Sequence, residues 1–334
     1  MGSRGSRGYR YRSRSNFVAF ATEWERKSRR PKIRGCQLII RAQSILYHTP
    51  IASITRAIEY LDNAARIARR AGIVQGVVIA YGDCSPQPLI TIDDLTDLKR
   101  RFSNLTDIEY NFFDRNHGHG GGQNRLLEDA ASDLLMIVNP DVLVSPTAFI
   151  ELVSALGRAG VGLVEARQLP IEHQKEYDPQ TGETNWASGA CAMGPMDLFR
   201  DLGGFDSDSF FLHCDDVDFS WRVRLAGFEI VHQTSAIAFH DKRLTNTASR
   251  VANPTERYYS AEGTLLLSYK YSRPDLTNIY LRNFDASGDE DHIKAASAFR
   301  LREKSGRLPT PIDNDHAVAK FVNLRLGPWR FLPR

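Results

Sequence analysis

Leu134-Leu135-Met136-Ile137-Val138-Asn139-Pro140-Asp141 decides how the rest of the chain is read. Its unbroken apolar run is short for a helix and bounded by turn residues, so it reads as a strand buried on both faces, as in a parallel sheet. The Asn-Pro-Asp that follows ends the strand and presents a carboxylate at the mouth of the sheet. A carboxylate there could hold a hard divalent cation that also binds phosphate. Taken alone, the same three residues are better explained as an ordinary turn.

Working outward, the same unit recurs. Cys36 to Ser44 reads as a strand, and Thr49-Pro50 as the cap and first-turn proline of a helix through Arg70, with Ile51, Ile54, Ile58 and Leu61 on one face. Val74 to Ala80 is another buried strand. Thr91-Ile92-Asp93-Asp94 resembles a capping box opening a helix to about Arg101, and Asp107 to Phe113 is the next strand. A helix beginning near Gly121 precedes the quoted strand. Ser145-Pro146 starts the helix that reaches about Leu156, and Val161 to Ala166 is a strand again. Strands and helices in alternation predict an α/β fold with a mostly parallel sheet flanked by helices, whose ligands sit at the carboxyl ends of the strands.

At one such end lies Asn116-His117-Gly118-His119-Gly120-Gly121-Gly122-Gln123-Asn124-Arg125, after a strand and opening a helix. Its backbone N–H groups could face a phosphate; a flexible glycine turn is the plainer alternative. It only partly imitates a dinucleotide fingerprint, since Gln123 stands at the third glycine position, and no Gly-Lys-Ser/Thr follows to make a P-loop. Further on, Phe210-Phe211-Leu212-His213-Cys214-Asp215-Asp216-Val217-Asp218 sets three acids among aromatic and apolar residues. Such charge must be exposed in a cleft or paired, because burying bare carboxylates is costly. The acids could also simply cap the helix containing Trp221 and Arg222. Together, a phosphate-facing loop, a carboxylate one strand later and an acidic cluster suit group transfer from a diphosphate.

From about Cys36 to His240 the sequence resembles the family-two glycosyltransferases, inverting nucleotide-sugar enzymes of the GT-A fold, especially their rhamnosyl- and galactofuranosyl-transferase-like branch. The glycine loop is similar to that family's Asn-x-Gly-x-x-Gly-x-Asn segment, and Leu135 to Asp141 to its metal-motif strand. Trp186-Ala187-Ser188-Gly189-Ala190-Cys191 and Leu202-Gly203-Gly204-Phe205-Asp206 resemble its acceptor-side segment. The acidic stretch resembles its Glu-Asp-Val-Asp-x-x-Trp-Arg signature, with Asp215 in place of Glu. The resemblance implies Asp216 as general base and Asp141 and His240 as ligands of Mg²⁺ or Mn²⁺. It implies Asp215, Trp186 and Asn139 for acceptor or sugar contact, and Asn116, Gly118, Gly120, Asn124 and Arg125 for donor binding. Asp83 is the candidate for nucleobase or ribose contact, displaced by one residue from the family's usual Asp-Asn-Gly-Ser. The family's Thr-Tyr-Asn after the first strand is missing beside Arg41-Ala42-Gln43-Ser44. His240 can also be read as a satisfied histidine at a strand end. The implied partners are a nucleotide-sugar donor and a glycan or lipid-linked acceptor. A catalytically inactive relative that only binds nucleotide sugar or glycan would keep the same motifs, and turnover separates the two.

The bounds agree. The chain has 334 residues with 42% hydrophobic content, enough for a proper core. Without an apolar run of about 18 residues or an N-terminal apolar segment, a soluble protein is expected. Cys36, Cys84, Cys191 and Cys214 lack metal or disulfide spacing, which fits a reducing cytoplasm. Residues 1–34 form a basic arm, read as a disordered tail or as a peripheral contact with an anionic membrane surface at its inner face; nucleic acid is not expected. The catalytic domain is placed at 35–245 and a mainly helical extension at 246–334. In the extension, Pro254 to Arg273 is an amphipathic helix, Pro274 begins another turn or helix, and acidic residues 284–292 are a loop. Core packing, membrane docking or a homodimer contact would each use such a tail.

Overall fold

Successive side chains of a strand point to opposite faces, and this explains how the sheet divides its two covering layers. The structure, a computed structural model, describes residues 38–173, 175–240 and 253–322. The basic arm, Cys36 and the start of the extension therefore lie outside the described residues. The strands are β1 (Ile39–Leu46), β2 (Gly76–Asp83), β3 (Asp107–Phe112), β4 (Leu134–Val138), β5 (Val142–Val144), β6 (Val161–Leu169), β7 (Cys191–Pro195) and β8 (Glu229–His240). The helices are α1 (Ile51–Arg70), α2 (Ile92–Arg101), α3 (Gly118–Leu127), α4 (Ala148–Leu156), α5 (Met196–Asp201), α6 (Asp215–Leu225), α7 (Pro254–Lys270), α8 (Pro274–Ala286) and α9 (Glu290–Lys304). In β4, Leu134, Met136 and Val138 join a core with α1, α2 and α4, whereas Leu135 and Ile137 join a second core with α5 and α6. This is the two-sided burial that an all-apolar strand requires.

The sheet order is β3-β2-β1-β4-β7-β6-β8-β5. The half read most directly from sequence, β3-β2-β1-β4, is parallel throughout. Beyond it the sheet is mixed: β7 runs antiparallel to β4 and β6, β6 and β8 are parallel, and β5 is antiparallel to β8. The antiparallel β7 matters because its start, Cys191, pairs with the end of β4, Val138. The segment preceding β7 therefore arrives at the carboxyl ends of the parallel strands.

Several boundaries differ from the sequence expectation. β1 continues to Leu46. Thr49 does not cap α1, which starts at Ile51 behind Pro50. The Thr91–Asp94 capping box is present, with both reciprocal bonds made. α3 starts at Gly118. The acidic segment 284–292 is helical on both sides of a short turn: Asp285 in α8 pairs with Arg300, and Asp289 caps α9 by accepting from the N–H groups of Asp291 and His292. Those acids serve helix ends and ion pairs, so the charge did not mark a loop.

α7, α8 and α9 form a further layer on α6. One core holds Trp186, Phe210, Cys214, Val217 and Trp221 together with Leu265, Leu266, Tyr271, Tyr280 and Phe299. Lys270, fully buried, lies 2.6 Å from Asp206 and 2.6 Å from Asp218, and the Tyr271 hydroxyl donates to the Asp218 carbonyl at 3.0 Å. No described helix is long and apolar enough to cross a membrane.

Candidate active site

After β1 the chain lays β2 and β3 on one side of it and then crosses to place β4 on the other. The crevice at the carboxyl ends of β1 and β4 is thus the topological switch point, where ligands of open α/β sheets bind. Tyr47 and His48 follow β1 there, their rings 4.5 Å apart, and Asn139-Pro140-Asp141 follow β4. Because β1 is longer than read, this exposed aromatic pair occupies the place where the sequence seemed to offer only Arg41 to Ser44.

The register of β5 on β8 sets Val142 opposite His240, which brings the ring of His240 beside Asp141, Nε2 to Oδ2 3.3 Å. His240 Nδ1 is 3.0 Å from Gln168 Oε1. A carbonyl oxygen accepts only from a protonated nitrogen, so this bond puts a proton on Nδ1, and in the neutral ring the Nε2 lone pair then faces a carboxylate oxygen. Two electron-rich atoms held in this way suit a divalent cation between them. No cluster of three or more His, Cys, Asp or Glu side chains that could hold a metal occurs among the described residues. A pair of this kind fits a cation that takes its remaining ligands from substrate phosphates.

The acidic turn is built on backbone strain. His213 and Cys214 both have left-handed φ, +66° and +63°, unusual for two successive non-glycine residues. Close packing holds them: a Cβ on Gly263 of α7 would lie 3.0 Å from Cys214 Sγ. The three acids then diverge over the first turn of α6. Asp218 is fully buried between Arg222 and Lys270 and is structural. Asp215 is buried with Oδ2 2.6 Å from His119 Nδ1. Burial would raise its carboxyl, but His119 outweighs that and holds it below its ordinary value. Asp216 is half-buried at the cleft. It accepts from the Gly189 N–H at 3.0 Å through Oδ2 and from the Val217 N–H at 2.8 Å through Oδ1. Burial, and then the charge of Asp215, push Asp216 up to about 6. Two adjacent carboxylates driven apart in this way are an acid–base assignment: Asp216 can accept a proton near neutral pH, and Asp215 stays ionised.

The segment presenting Gly189 is clamped from beneath. Lys175 contacts Glu165, donates to the Trp186 carbonyl at 2.5 Å and lies 4.1 Å from the Trp186 ring centroid. Glu165 accepts from the Ser188 N–H at 3.1 Å and pairs with His232. Burial opposes its charge, but Lys175 and His232 lower it to about 2. The Asn139 N–H donates to the Ala190 carbonyl at 3.0 Å, which joins the end of β4 to the same segment.

Other residues singled out from the sequence take different roles. Two of the backbone N–H groups at the start of α3 are already engaged. The Gly118 N–H donates to Asn116 Oδ1 and the His119 N–H to the Phe211 carbonyl, while Gly118 (φ +71°) lies where a Cβ would meet that carbonyl oxygen at 2.1 Å. A Cβ on Gly120 would lie 2.8 Å from Phe205. The glycines thus permit α3 to dock against the acidic turn. Asn124 donates to the Phe205 carbonyl and accepts from its N–H, both at 2.8 Å, so its amide fixes the Gly-Gly-Phe-Asp turn and is not free for the donor. Trp186 is buried in the α6–α7 core, not open for stacking on sugar. Both oxygens of Asp83 are engaged, by the N–H groups of Ser85 and Leu89 and the hydroxyl of Tyr110, so it closes the loop after β2. Arg125 is exposed, its guanidinium 5.1 Å from the ring centroid of Phe113, which follows β3.

Sequence reasoning missed Tyr47 and His48, His119, Gly189, Gln168 and the Glu165–Lys175 clamp. Only His119 left a signal, a titratable side chain between two glycines of a tight segment.

No family model matches the chain. Among curated proteins it is 26% identical to an N-acetylglucosaminyl-diphospho-decaprenol L-rhamnosyltransferase of Mycobacterium tuberculosis, over 38% of this chain and 56% of that protein. It is 23% identical to the low-salt glycan biosynthesis hexosyltransferase Agl10 of Haloferax volcanii, over 44% of this chain and 56% of that protein. The chain thus spans little more than half the length of the curated relatives it matches. Among solved structures, GalNAc-T7 with UDP, GalNAc and Mn²⁺ superposes with a TM-score of 0.56 at 11% identity, over 82% of this chain and 56% of that one. The fold is therefore GT-A, and the matched relatives accord with the rhamnosyltransferase-like branch.

Proposed function

We propose that this chain is an inverting glycosyltransferase that moves a sugar from a nucleoside diphosphate sugar to a hydroxyl of a glycan or lipid-linked acceptor. The observation that carries the reading is the division of labour at the start of α6. One carboxylate is kept ionised by pairing with His119, and its neighbour, raised to about 6, is held at the cleft by a single backbone N–H from the Gly189 segment and one from its own helix. Asp216 takes the proton of the acceptor hydroxyl as that oxygen attacks the anomeric carbon. The bond from that carbon to the diphosphate oxygen breaks, and the nucleoside diphosphate leaves with its electron pair, inverting the centre in a single displacement.

Donor contacts fall to the switch-point crevice, with Tyr47 and His48 toward the nucleoside, Arg125 toward the phosphates and Asn139 toward the sugar or ribose. Asp141 and His240 are the residues that would hold Mg²⁺ or Mn²⁺, which when bound supplies positive charge to the departing diphosphate. Gln168 keeps His240 in the ligating tautomer.

The test is release of nucleoside diphosphate from a panel of UDP-, GDP- and dTDP-sugars with Mn²⁺, with and without glycan and prenyl-diphosphate-linked acceptors. Transfer abolished by Asp216→Asn with donor affinity unchanged supports the reading, since the base acts in the transition state. Unchanged turnover in that variant places the base elsewhere. Donor binding without release of nucleoside diphosphate under any condition makes the protein a binding relative.

A further inference from the structure

We propose that His119 is a positioning residue for the base: its ring holds Asp215 as a fixed anion and so leaves Asp216 as the one carboxylate of the pair free to take the acceptor proton. The inference rests on the glycosyltransferase reading for its chemistry, but the His119–Asp215 geometry stands without it.

The imidazole is fixed from several directions. Its backbone N–H donates to the Phe211 carbonyl at 2.9 Å, and its ring meets Phe205 edge-on at 5.8 Å between centroids. Nδ1 lies 2.6 Å from Asp215 Oδ2, a charge-assisted length. On its other side the ring reaches the Gly189 backbone that binds Asp216: a Cβ on Gly189 would lie 3.2 Å from His119 Cε1 and 3.4 Å from the Asp216 Cβ. A Cβ there would be in ordinary contact with Asp216 but would press tightly on the His119 ring. His119 Nε2 is buried and has no hydrogen-bond partner among the described residues, so the ring's hydrogen bond there is the one from Nδ1 to Asp215.

The electrostatics follow from this placement. Burial opposes charging His119, but Asp215 outweighs it and raises the imidazole above its ordinary value. The other charged groups acting on the two carboxylates are His213, before α6, on Asp215, and Lys175, in the loop after β6, on Asp216. Glu262 of α7 is engaged by the Tyr258 hydroxyl. Without the histidine's charge, Asp215, buried, and Asp216, half-buried, are neighbouring carboxyls whose titrations are coupled, and complete ionisation moves to higher pH.

The test compares wild type, His119→Gln and Asp215→Asn, in which glutamine keeps a donor toward Asp215 but not a charge. Carboxyl-carbon and imidazole NMR titrations of the protein without substrate are read first. Expected are a His119 titration above the ordinary histidine range in wild type, its fall in Asp215→Asn, and a rise of the Asp216 titration midpoint by about one pH unit in His119→Gln. A wild-type His119 in the ordinary range, or an Asp216 titration unmoved by His119→Gln, overturns the proposal whether or not turnover is found.

The second arm is the pH profile of nucleoside diphosphate release, with whichever sugar nucleotide of the panel wild type cleaves fastest. With the Asp216 midpoint moved up in this way, His119→Gln should lose about tenfold in rate at pH 5.5 and largely recover by pH 8. A uniform loss at every pH means that the ring only fills space and also overturns the proposal. If wild type cleaves none of the panel while the NMR titrations move as expected, the glycosyltransferase reading fails and the histidine's hold on the carboxylates stands.

Discussion

Replacing Lys270 with Met removes one cation from between a buried carboxylate and a partly buried one, and its effect can be worked from the contacts. The ammonium lies 2.6 Å from Asp206 and 2.6 Å from Asp218, with essentially no exposure to water. Removing one partner of a buried ion pair costs about 3–5 kcal/mol, because the remaining charge is left without solvent or partner. Asp218 keeps Arg222 Nε at 2.8 Å, and the methionine chain retains most of the packing volume, so the lower end applies, about 3 kcal/mol. At about 2 °C per kcal/mol for a chain of this size, the melting midpoint should fall by about 6 °C. The pH dependence carries a sign. Burial works against the Asp206 carboxylate, but Lys270 holds its folded-state value below the ordinary 3.8. Its stabilising contribution is therefore fully present above that value and is lost as the pH falls below it. In Lys270→Met this loss on acidification should disappear. Thermal and urea unfolding across pH 3 to 7 provide the assay, and Lys270→Met with Asp206→Asn should be less damaging than the sum of the two changes. A Lys270→Met protein within about 1 kcal/mol of wild type would refute the claim that this cation ties α6 to α7.

Turnover should rise with pH through about 6, because Asp216 acts only when ionised and its carboxyl is raised to that value; a flat profile down to pH 4.5 would assign the base elsewhere. Gly118→Ala should destabilise by more than about 2 kcal/mol, since a left-handed φ is joined by contact with the Phe211 carbonyl. Gly72→Ala, at φ +70° with nothing within 4 Å, should cost only about 1 kcal/mol by the same thermal melts, and equal losses would remove close approach as the cause. His240→Ala, and more mildly Gln168→Ala, should weaken Mn²⁺ binding in the presence of nucleoside diphosphate by about tenfold or more in calorimetric titration. Unchanged affinity in both variants would place the cation away from β8.

The sequence exposed the parts of the fold that repeat a local rule. The apolar run of β4, the capping box at Thr91 and the helical spacing of Ile54, Ile58 and Leu61 each follow from short-range physics and are found where expected. The acids of the site were legible for the same reason, since three carboxylates among aromatics must be explained locally. What was not legible depends on strand register and backbone closeness. The pairing of His240 with Asp141 came from the family resemblance alone, since nothing near Asp141 in sequence announces that β8 returns antiparallel to β5. The glycines of α3 were read for backbone N–H groups, whereas their use is the missing Cβ: Gly118 and Gly120 let the helix touch the 205–215 segment. Asp83, Asn124 and Trp186 carry chemistry suited to binding, but burial commits them to neighbouring backbone and core instead.

The division at residue 245 marks the end of recognisable motif, not the end of a packing unit. Trp186, Phe210, Val217 and Trp221 fall before it, and Leu265, Leu266, Tyr271 and Phe299 after it, yet they share one core. The strained pair His213–Cys214 keeps its left-handed conformation with Gly263 packed against it, and the helix that follows is tied down by Lys270 through Asp218. Left-handed non-glycine residues cost on the order of 1–3 kcal/mol each and persist only where surrounding structure over-determines them. α7 supplies part of that determination. It follows that the aim of Asp216, the proposed base, depends on residues with no motif of their own: the C-terminal helices hold it in position from behind, as the Glu165–Lys175 clamp does from below.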